Sequence, residues 1–407
     1  MPDFLSSPYR FFQKFLQKNS TKNPHKISIL QILPALNSGG VERGTLEIAS
    51  ALQESGYRAI VASAGGRMTD ELAQYGATHI TLKLNSKNPL IILLNAFFLI
   101  KLIHTENISL LHARSRAPAW SALIAARLTN TPLITTFHGV YGHKTKLKRL
   151  YNSVMIKGEI VIAISNYIAN HLQEIYDLSF TDIRVIPRGA ETGIFSPIAV
   201  SDERKKKVIE RFKLPKTHAK IILLPARITR WKGHLFALEA LRSLHETAWH
   251  CICIGDVTKD SPYFEELQTK IRSYGLSERF SILPYEQDMP AAYAVSHIVL
   301  VPSLEPEAFG RVSVEAQAME RLVIATQHGG AAETILAGAT GWLVEPGNIE
   351  QLRFAIAHGL DLSERAYQII GKNARKHIIS NYTKYQMCER TLAAYKEVLE
   401  NHNRSNA

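Results

Sequence analysis

The sequence predicts an α/β protein of two domains, each built on a parallel sheet. The chain has 407 residues, which is more than one ordinary hydrophobic core organises. Short apolar runs alternate with stretches of helical periodicity on both sides of residues 187–216, and this alternation is typical of βα units. Ligands bind such sheets at the carboxyl ends of the strands, so we expect a site in a cleft between the domains.

Residues 1–26 form an arm of different composition. Aromatic and aliphatic side chains alternate there with arginine and lysine, the pattern of a helix that lies in a membrane interface. An arm that packs on the protein's own surface, or is disordered, explains the same composition. Both interpretations stay open.

The first domain is expected over residues 27–195. Its first strand, ISILQIL, leads through a loop containing Gly39 and Gly40 into a helix that ends at Gly56. The glycines at 39, 40 and 44 do not form the G-x-G-x-x-G fingerprint, so no nicotinamide site is predicted. Further strands are expected at 58–63, 79–84, 108–112, 132–136, 159–164 and 183–186.

The most apolar stretch of the chain is PLIILLNAFFLIKLI, residues 89–103. Asn95 and Lys101 interrupt it, and it falls short of the roughly 18 consecutive apolar residues of a transmembrane helix. We expect a helix that covers the sheet, although apolarity on all sides exceeds what sheet packing requires. Contact with a membrane is the alternative.

A change in composition at residues 187–216 marks the domain boundary. A segment with two prolines and two glycines precedes the strongly basic ERKKKVIERFKLPK, which we expect to be helical. The second domain is expected over 196–380, and residues 381–407 are expected to form a helix that packs back toward the first domain. The strands of the second domain are predicted at 221–227, 250–255, 280–284, 297–303 and 322–326. Two helical stretches are expected to close the chain, one at about 348–379 with a break and one at 384–400.

The net charge and the cysteines indicate which partners and which compartment to expect for the protein. Lysine and arginine number 48 against 36 acidic residues, and the net charge of +12 attracts phosphate-containing substrates or an acidic membrane surface. No basic tail or RNA-binding signature occurs, so nucleic acid is not an expected partner. Cys251 and Cys253 alternate on a strand, which argues against a disulfide or a shared metal. Without a secretory signal, the protein is expected in the cytoplasm.

The stretch EPEAFGRVSVEAQAM, residues 305–319, has the composition of a ligand-binding loop and helix. Glu307 lies in a loop before a helix that begins near Arg311, and Glu315 lies about one turn inside it. A helix N-terminus suits a phosphate-bearing or hydroxyl-rich ligand, carboxylates accept hydrogen bonds from sugar hydroxyls, and Gly310 permits close approach to the backbone. A helix with a charged first turn explains the two glutamates equally well.

The second domain opens with PARITRWKGH. Arg227 is expected at the end of a strand and Lys232, followed by Gly233, at the start of the next helix. Two cations beside a helix N-terminus suit a diphosphate, with arginine as a bidentate fork and lysine as a point charge. Two exposed basic residues without a ligand are the alternative.

In the first domain, polar residues follow two strands at the same edge. His138 follows LITTF, although a lone histidine is more often structural than catalytic. Arg114 and Arg116 follow the strand that ends at His112, and a basic run occupies residues 144–149. A solvated helix face is the ordinary explanation of that run, and an anionic lipid surface is the functional one.

Taken together, GGVER, TTFHG, PARITRWKG and EPEAFGRVSVEA resemble the retaining glycosyltransferases of family 4 in their order and separation. That family has the GT-B fold, in which two Rossmann-like parallel-sheet domains face each other across a cleft. The resemblance covers about residues 27–375, and its Glu-x7-Glu and Arg-x4-Lys-Gly elements are specific as a pair. The stretch HARSR, residues 112–116, also resembles bacterial members of lipopolysaccharide or capsule assembly, which is a less specific signal.

The resemblance implies a nucleotide-sugar donor held by the second domain. Arg227 and Lys232 would neutralise its diphosphate. Glu307 would bind hydroxyls of the donor sugar near the reacting carbon, and Glu315 the hydroxyls of the ribose. The backbone of Phe309 and Gly310 would approach the sugar, and the base would lie near the loops that follow the strands at 250–255 and 280–284.

The resemblance also implies roles for the first domain and a mechanism. Gly39 and Gly40 would let their loop close over the diphosphate, and His138 would contact the donor sugar near its anomeric centre. No first-domain carboxylate matches a motif for the nucleophile of a double displacement, so front-face substitution is expected. The departing diphosphate, stabilised by Arg227 and Lys232, would itself accept the acceptor's proton.

Neither a metal nor another cofactor is expected, because no Asp-x-Asp triplet occurs. The predicted reaction moves a sugar to a hydroxyl acceptor, and the charge and apolar segments favour a lipid-linked or cell-envelope glycan. Peripheral attachment to the inner face of the cytoplasmic membrane is a further hypothesis. The alternatives are a nucleotide-sugar epimerase or hydrolase on the same fold and a non-catalytic membrane-binding module.

Overall fold

The computed structural model describes residues 27–37, 39–142, 144–214, 219–244, 247–257 and 261–405, so the arm expected over residues 1–26 lies outside it. The described chain divides into two compact units, each containing one sheet of parallel strands. The α/β class with two Rossmann-like domains is therefore confirmed. The first unit comprises the described residues up to Ile162, Tyr176–Arg184 and Thr391 onward, and the second comprises Ala163–Ile175 and Val185–Arg390.

The first sheet contains β1 (Ser28–Ile32), β2 (Arg58–Ser63), β3 (Thr78–Thr81), β4 (Ile108–Ala113), β5 (Leu133–Phe137), β6 (Ile160–Ala163) and β7 (Ile183–Val185). Their order in space is β3-β2-β1-β4-β5-β6-β7. The predicted end of β3 was wrong, because the Leu84 N–H bonds the Leu82 carbonyl at 2.7 Å and the chain turns there. The helices that follow these strands are α1 (Gly40–Glu54), α2 (Thr69–Gln74), α3 (Pro89–Thr105), α4 (Arg116–Thr129), α5 (Lys146–Asn152) and α6 (Asn166–Tyr176).

Helix α3 is the apolar stretch singled out in the sequence. Asn88 caps it by accepting a hydrogen bond from the Leu90 N–H, and Pro89 occupies its first turn. One face packs chiefly against α4, where the Ser121 hydroxyl donates to the Ile92 carbonyl at 2.9 Å. Helix packing, more than coverage of the sheet, therefore buries this face. The opposite face is exposed and carries Leu90, Leu93, Leu94 and Phe97.

None of the helices in the described part of the chain is both long enough and apolar enough to span a membrane. The expectation from the sequence that α3 is not a transmembrane segment agrees with this finding.

The second sheet contains β8 (Lys220–Pro225), β9 (Trp249–Ile254), β10 (Phe280–Leu283), β11 (Ile298–Val301), β12 (Leu322–Thr326) and β13 (Gly341–Val344). Their order is β10-β9-β8-β11-β12-β13, so the direction of chain progression reverses between β8 and β11. Alternate residues of β8 enter different apolar clusters, Ile222 and Leu224 on one face and Ile221 and Leu223 on the other. Burial on both faces explains why these strands read as continuous apolar runs.

Strand β13 was missed in the sequence analysis. It is short and begins at Gly341, where an added Cβ would lie 2.6 Å from the Val323 carbonyl oxygen of the adjacent β12. Glycine is therefore needed at the point where the two strands approach, although it lowers strand propensity.

The remaining helices agree with the predicted pattern. Ser201 caps the basic boundary helix, and Ser363 caps the second of the two helices into which the stretch predicted over 348–379 divides. The helices are α7 (Asp202–Arg211), α8 (His234–Leu241), α9 (Pro262–Ser273), α10 (Met289–Val295), α11 (Arg311–Ala318), α12 (Gly329–Glu333), α13 (Ile349–Asp361), α14 (Glu364–Asn381) and α15 (Lys384–Ser405).

A histidine is fully buried at the start of α8. His234 is 0% exposed, and burial lowers its pKa from 6.5 to about 4, while backbone groups of Ala226 and Thr229 offset part of that effect. Its proximity to Lys232 also lowers the pKa. The folded protein therefore keeps this imidazole neutral at pH values where an unfolded chain protonates it.

This difference predicts a loss of stability in acid. As the pH falls below 6.5, His234 becomes protonated in the unfolded state, whereas in the folded state it stays neutral until about pH 4. The free energy of unfolding should fall over this window by up to roughly 3 kcal/mol. Urea denaturation across this pH window should show a weaker pH dependence for His234→Gln than for the wild type. An equal pH dependence in the two proteins would contradict the prediction.

Candidate functional site

The two predicted donor motifs lie on adjacent loops of the second unit. PARITRWKGH follows β8, EPEAFG follows β11, and these strands pair with each other. The loops therefore occupy the point where the strand order of this sheet reverses. Crevices at such points are the usual ligand sites of open α/β sheets.

An ion pair joins the two motifs. Lys232 Nζ lies 2.7 Å from Glu307 Oε1, and the two side chains are only 14% and 13% exposed. The Ser303 hydroxyl donates to the same oxygen at 2.5 Å. Glu307 Oε2 has no hydrogen-bond partner among the described residues. The arrangement thus presents one unengaged carboxylate oxygen beside a fixed ammonium group.

Backbone contacts hold the two loops against each other. The Leu304 N–H donates to the Trp231 carbonyl at 2.6 Å. Gly233 has φ +76°, and a Cβ there would lie 1.9 Å from the Pro302 carbonyl oxygen. Only glycine fits this close approach, which explains the glycine that follows Lys232 in the motif.

The positions expected for the two cations were wrong in detail. Residues Arg230–Lys232 form a 3₁₀ turn and α8 begins at His234, so Lys232 precedes the helix. The left-handed conformation of Gly233 separates the turn from the helix. Arg227 lies two residues beyond the end of β8 and is exposed. Its guanidinium makes no hydrogen bond or ion pair with any described residue, and is therefore available to an anionic ligand.

The loop before α11 packs on a second pair of glycines that the sequence analysis did not identify. The Gly330 N–H donates to the Glu307 carbonyl at 2.7 Å. A Cβ on Gly329 would lie 2.5 Å from that same oxygen, and one on Gly330 would lie 2.4 Å from the Ala308 oxygen. The available signal was a pair of consecutive glycines in the loop after a strand, as at Gly39 and Gly40.

Packing within the second unit explains why positions 309 and 310 are occupied by phenylalanine and glycine. Gly310 has φ +90°, and a Cβ there would lie 2.6 Å from the Ala331 Cβ on α12. Phe309 is 4% exposed, and its ring centre lies 6.0 Å from that of Tyr382. Packing therefore accounts for both residue types, and the approach of a ligand to their backbone stays a prediction.

Glu315 lies in the second turn of α11, which begins at Arg311 as predicted. Its carboxylate accepts hydrogen bonds from the Tyr293 hydroxyl and from Arg311 Nε, both at 3.2 Å. Burial, followed by the nearby charge of Glu315, raises the pKa of Tyr293 well above its usual value. Tyr293 therefore stays a hydroxyl donor that orients this carboxylate.

Residues distant in sequence complete the support of this loop. The Ser165 hydroxyl donates to the Ala308 carbonyl at 2.6 Å. Glu333, at the end of α12, accepts hydrogen bonds at the start of α6 from the backbone N–H groups of Asn166 and Tyr167, at 2.9 and 2.5 Å. No local pattern marks these partners, because they lie more than 140 residues apart.

In the first unit, Gly39 and Gly40 lie where the strand order of the first sheet reverses, after β1. Gly39 precedes α1 with φ +135°, and an oxygen of Glu42 lies 2.7 Å from the position a Cβ would occupy. The loop that contains Gly39 and Gly40 follows β1, and β1 pairs with β4, the strand that ends at Ala113. The fold thus puts this glycine pair at the edge where open α/β sheets usually bind ligands, and its contact with a diphosphate stays a prediction.

The histidines of the first sheet differ in their surroundings. His112 is 1% exposed, and its ring nitrogens lie 2.6 Å from the Tyr395 and Thr136 hydroxyl oxygens, so it has a structural role. The neighbouring Arg114 is also buried and donates to Gln31 at 2.8 Å. His138 is half-buried and follows β5 at the carboxyl edge, as predicted.

Comparison with known proteins identifies the family. A model described as "Glycosyl transferases group 1" matches residues 206–377, and one described as "Glycosyltransferase Family 4" matches residues 38–193. The crystal structure of a glycosyltransferase from Rickettsia africae ESF-5 is 40% identical with a TM-score of 0.87, covering 93% of this chain and 100% of that one. Anabaena Alr3699/HepE, in complex with UDP and glucose, shares the fold at 21% identity, with a TM-score of 0.80 over 91% and 99% of the two chains.

Curated relatives match over part of their length. The D-inositol 3-phosphate glycosyltransferase of Xylanimonas cellulosilytica is 26% identical over 244 residues, which are 54% of this chain and 56% of that protein. The lipopolysaccharide core biosynthesis mannosyltransferase LpcC of Rhizobium leguminosarum bv. viciae is 26% identical over 293 residues, 71% and 78% of the two. Together with the Rickettsia structure and the two matching models, these similarities show that the chain belongs to the family 4 glycosyltransferases of GT-B fold.

Proposed function

We propose that the protein transfers a sugar from a nucleotide-diphosphate sugar to a hydroxyl acceptor. The observation that carries this proposal is the Lys232–Glu307 pair on adjacent loops of the second sheet, with Arg227, which pairs with no described residue, on the same edge. An ammonium group has three donors, and Glu307 engages one of them. Two donors of Lys232 and the guanidinium of Arg227 are then available to phosphate oxygens.

The carboxylates suit the hydroxyls of the donor. Glu307 Oε1 is engaged by Lys232 and Ser303, which favours a hydrogen-bonding role through Oε2 over that of a nucleophile. Glu315 is 15% exposed and already oriented by two donors, so it can accept a ribose hydroxyl without rearrangement. The complexes of Anabaena HepE with UDP and with UDP-glucose support a nucleotide sugar as the donor class.

The proposed reaction proceeds by front-face substitution with retention. The bond between the anomeric carbon and the diphosphate oxygen breaks as the acceptor oxygen approaches from the same face. The acceptor's proton passes to the departing diphosphate. Lys232 and Arg227 stabilise the charge that develops on the leaving group, and such preorganised stabilisation is the largest contribution in many enzymes. The positioning role of His138 stays a prediction.

We also propose an amphiphilic, cell-envelope acceptor and attachment to the membrane surface from the cytoplasmic side. The exposed face of α3 carries Leu90, Leu93, Leu94 and Phe97, which are 75%, 55%, 49% and 60% exposed. Four large apolar side chains on one exposed helix face favour an apolar partner. The net charge of +12 favours an anionic surface. LpcC, a relative named for lipopolysaccharide core biosynthesis, supports a cell-envelope acceptor.

Removing either member of the ion pair should abolish transfer. Lys232→Gln and Glu307→Gln should each lower turnover of the donor by about a hundredfold or more, because the developing charge loses its stabilisation. Nucleotide release with an extracted cell-envelope acceptor measures the effect. Glutamine is chosen because it still offers the partner a hydrogen bond, whereas alanine would leave a nearly buried charge with neither a counter-charge nor that hydrogen bond.

A matched control separates chemistry from folding. Lys270 pairs with Glu239 at 3.0 Å in the same unit, so Lys270→Gln removes a paired lysine without touching the proposed site. It should keep wild-type turnover, and His138→Ala should lose less than the ion-pair variants. Wild-type turnover in Lys232→Gln or Glu307→Gln would exclude the assignment. A rate of donor consumption that is the same with and without acceptor would favour an epimerase or hydrolase instead.

Turnover should not require a divalent metal. The proposed site neutralises the diphosphate with Lys232 and Arg227, which replace the charge that a metal supplies in other transferases. Treatment with EDTA followed by desalting should leave the rate unchanged. A loss of activity that Mg²⁺ or Mn²⁺ restores would contradict this prediction.

The exposed face of α3 should mediate attachment to anionic vesicles. Phe97→Ser should reduce the fraction of protein that sediments with vesicles containing phosphatidylglycerol. Phe354→Ser is the matched control, because Phe354 is 69% exposed on α13 against 60% for Phe97. Equal sedimentation of both variants and the wild type would argue against the role of α3. The contribution of the arm is tested by deleting residues 1–24.

A further inference from the structure

A cavity within the first unit gathers three cations that the proposed donor site does not use. It has a volume of about 400 Å³ and is lined by Lys87, Arg116, Gly142, Lys148, Tyr151 and Asn152. These residues come from the segment before α3, the start of α4, the loop after β5 and helix α5. No acidic residue occurs among them.

Arg116 is held in place by uncharged groups. Its guanidinium donates to Asn152 Oδ1 at 2.9 Å and lies 4.0 Å from the ring centre of Tyr141. Asn152 is 1% exposed and is itself fixed by donating to the Gly142 carbonyl at 3.1 Å. No carboxylate of the described residues pairs with Arg116. Its remaining N–H donors are therefore oriented and available.

The two lysine ammonium groups and the tyrosine hydroxyl of the cavity have no hydrogen-bond or ion-pair partner among the described residues. Lys87 and Lys148 are exposed and form no ion pair with a described residue. The Tyr151 hydroxyl is buried and has no hydrogen-bond partner among the described residues. Burial raises the pKa of Tyr151, so this group is a donor at neutral pH. Three cations that pair with no carboxylate of the described residues give the cavity the chemistry of an anion-binding site.

We propose that this cavity binds a phosphoryl group carried by the acceptor substrate. An arginine fork and two ammonium groups match the several oxygens of a phosphate better than the two of a carboxylate. The positive end of α4, which begins at Arg116 with no acidic residue in its first turn, adds to the attraction. The assignment of the group to the acceptor rests on the transferase function proposed above, whereas the binding of phosphate does not.

The surroundings of the cavity fit an acceptor that is apolar beyond its phosphate. Lys87 lies three residues before Leu90, the first exposed apolar residue of α3, and Leu147 of α5 is 78% exposed next to Lys148. A phosphate in the cavity would leave an attached chain beside these side chains. Burial of apolar surface there would add to the affinity.

Two double variants test the proposal with the full chain and without any donor. Lys87→Gln with Lys148→Gln removes two exposed cations from the cavity. Lys83→Gln with Lys144→Gln removes the same charge from nearby exposed lysines that do not line it. Inorganic phosphate should slow amide hydrogen exchange over residues 144–152 in the wild type and the matched control. The cavity variant should need about tenfold more phosphate for the same protection, or about 1.4 kcal/mol.

Equal protection in both variants, or none in the wild type, would overturn the proposal. Dihexanoyl phosphatidic acid identifies the source of the phosphate. Protection at lower concentration than with inorganic phosphate assigns the cavity to a lipid phosphate, and protection at equal concentration assigns it to a soluble one. Because the exchange experiment contains no donor, it can fail while Lys232 and Glu307 still support transfer. It can equally succeed if the transferase function is excluded.

Discussion

The ion pair between Lys232 and Glu307 is the interaction on which the geometry of the proposed donor site depends. It joins two loops that lie 75 residues apart in sequence, and both side chains are nearly buried. Taking two charges out of water costs free energy that their attraction repays only in good geometry. Here the Ser303 hydroxyl and the Trp231 ring, 4.3 Å from Lys232 Nζ, supply additional favourable contacts. The pair therefore orients both groups before any ligand is present.

The topology of the second sheet makes that pair possible. Strand order reverses between β8 and β11, so the loops after these strands are neighbours without an intervening connection. Glycines then allow the backbones to approach: Gly233 meets Pro302, and Gly329 and Gly330 meet the segment that carries Glu307. The same reversal occurs in the first sheet, where Gly39 and Gly40 follow β1. Two similar sheets thus supply equivalent edges with different chemistry.

Local pattern predicted most of the fold, because parallel strands buried on both faces are continuous apolar runs and helices carry capping signals. It predicted the helix that begins at Arg311 and missed β13, whose first residue is a glycine required by close packing. It identified Lys232 and Glu307 separately, yet assigned them to different ligand groups and did not predict that they pair. The contacts of Ser165 and Glu333 were out of reach, because long-range partners leave no periodic signal in one sequence.

The central claim is that the second unit holds a nucleotide-diphosphate sugar through Arg227, Lys232 and Glu307. Titration of the wild type and Arg227→Gln with a panel of nucleotide sugars tests it most directly, because Arg227 is exposed and its replacement removes no hydrogen bond or ion pair with a described residue. We predict that at least one nucleotide sugar raises the melting temperature of the wild type and binds Arg227→Gln about tenfold more weakly, a loss of about 1.4 kcal/mol. Equal affinity for both proteins, or no stabilisation by any member of the panel, would contradict it.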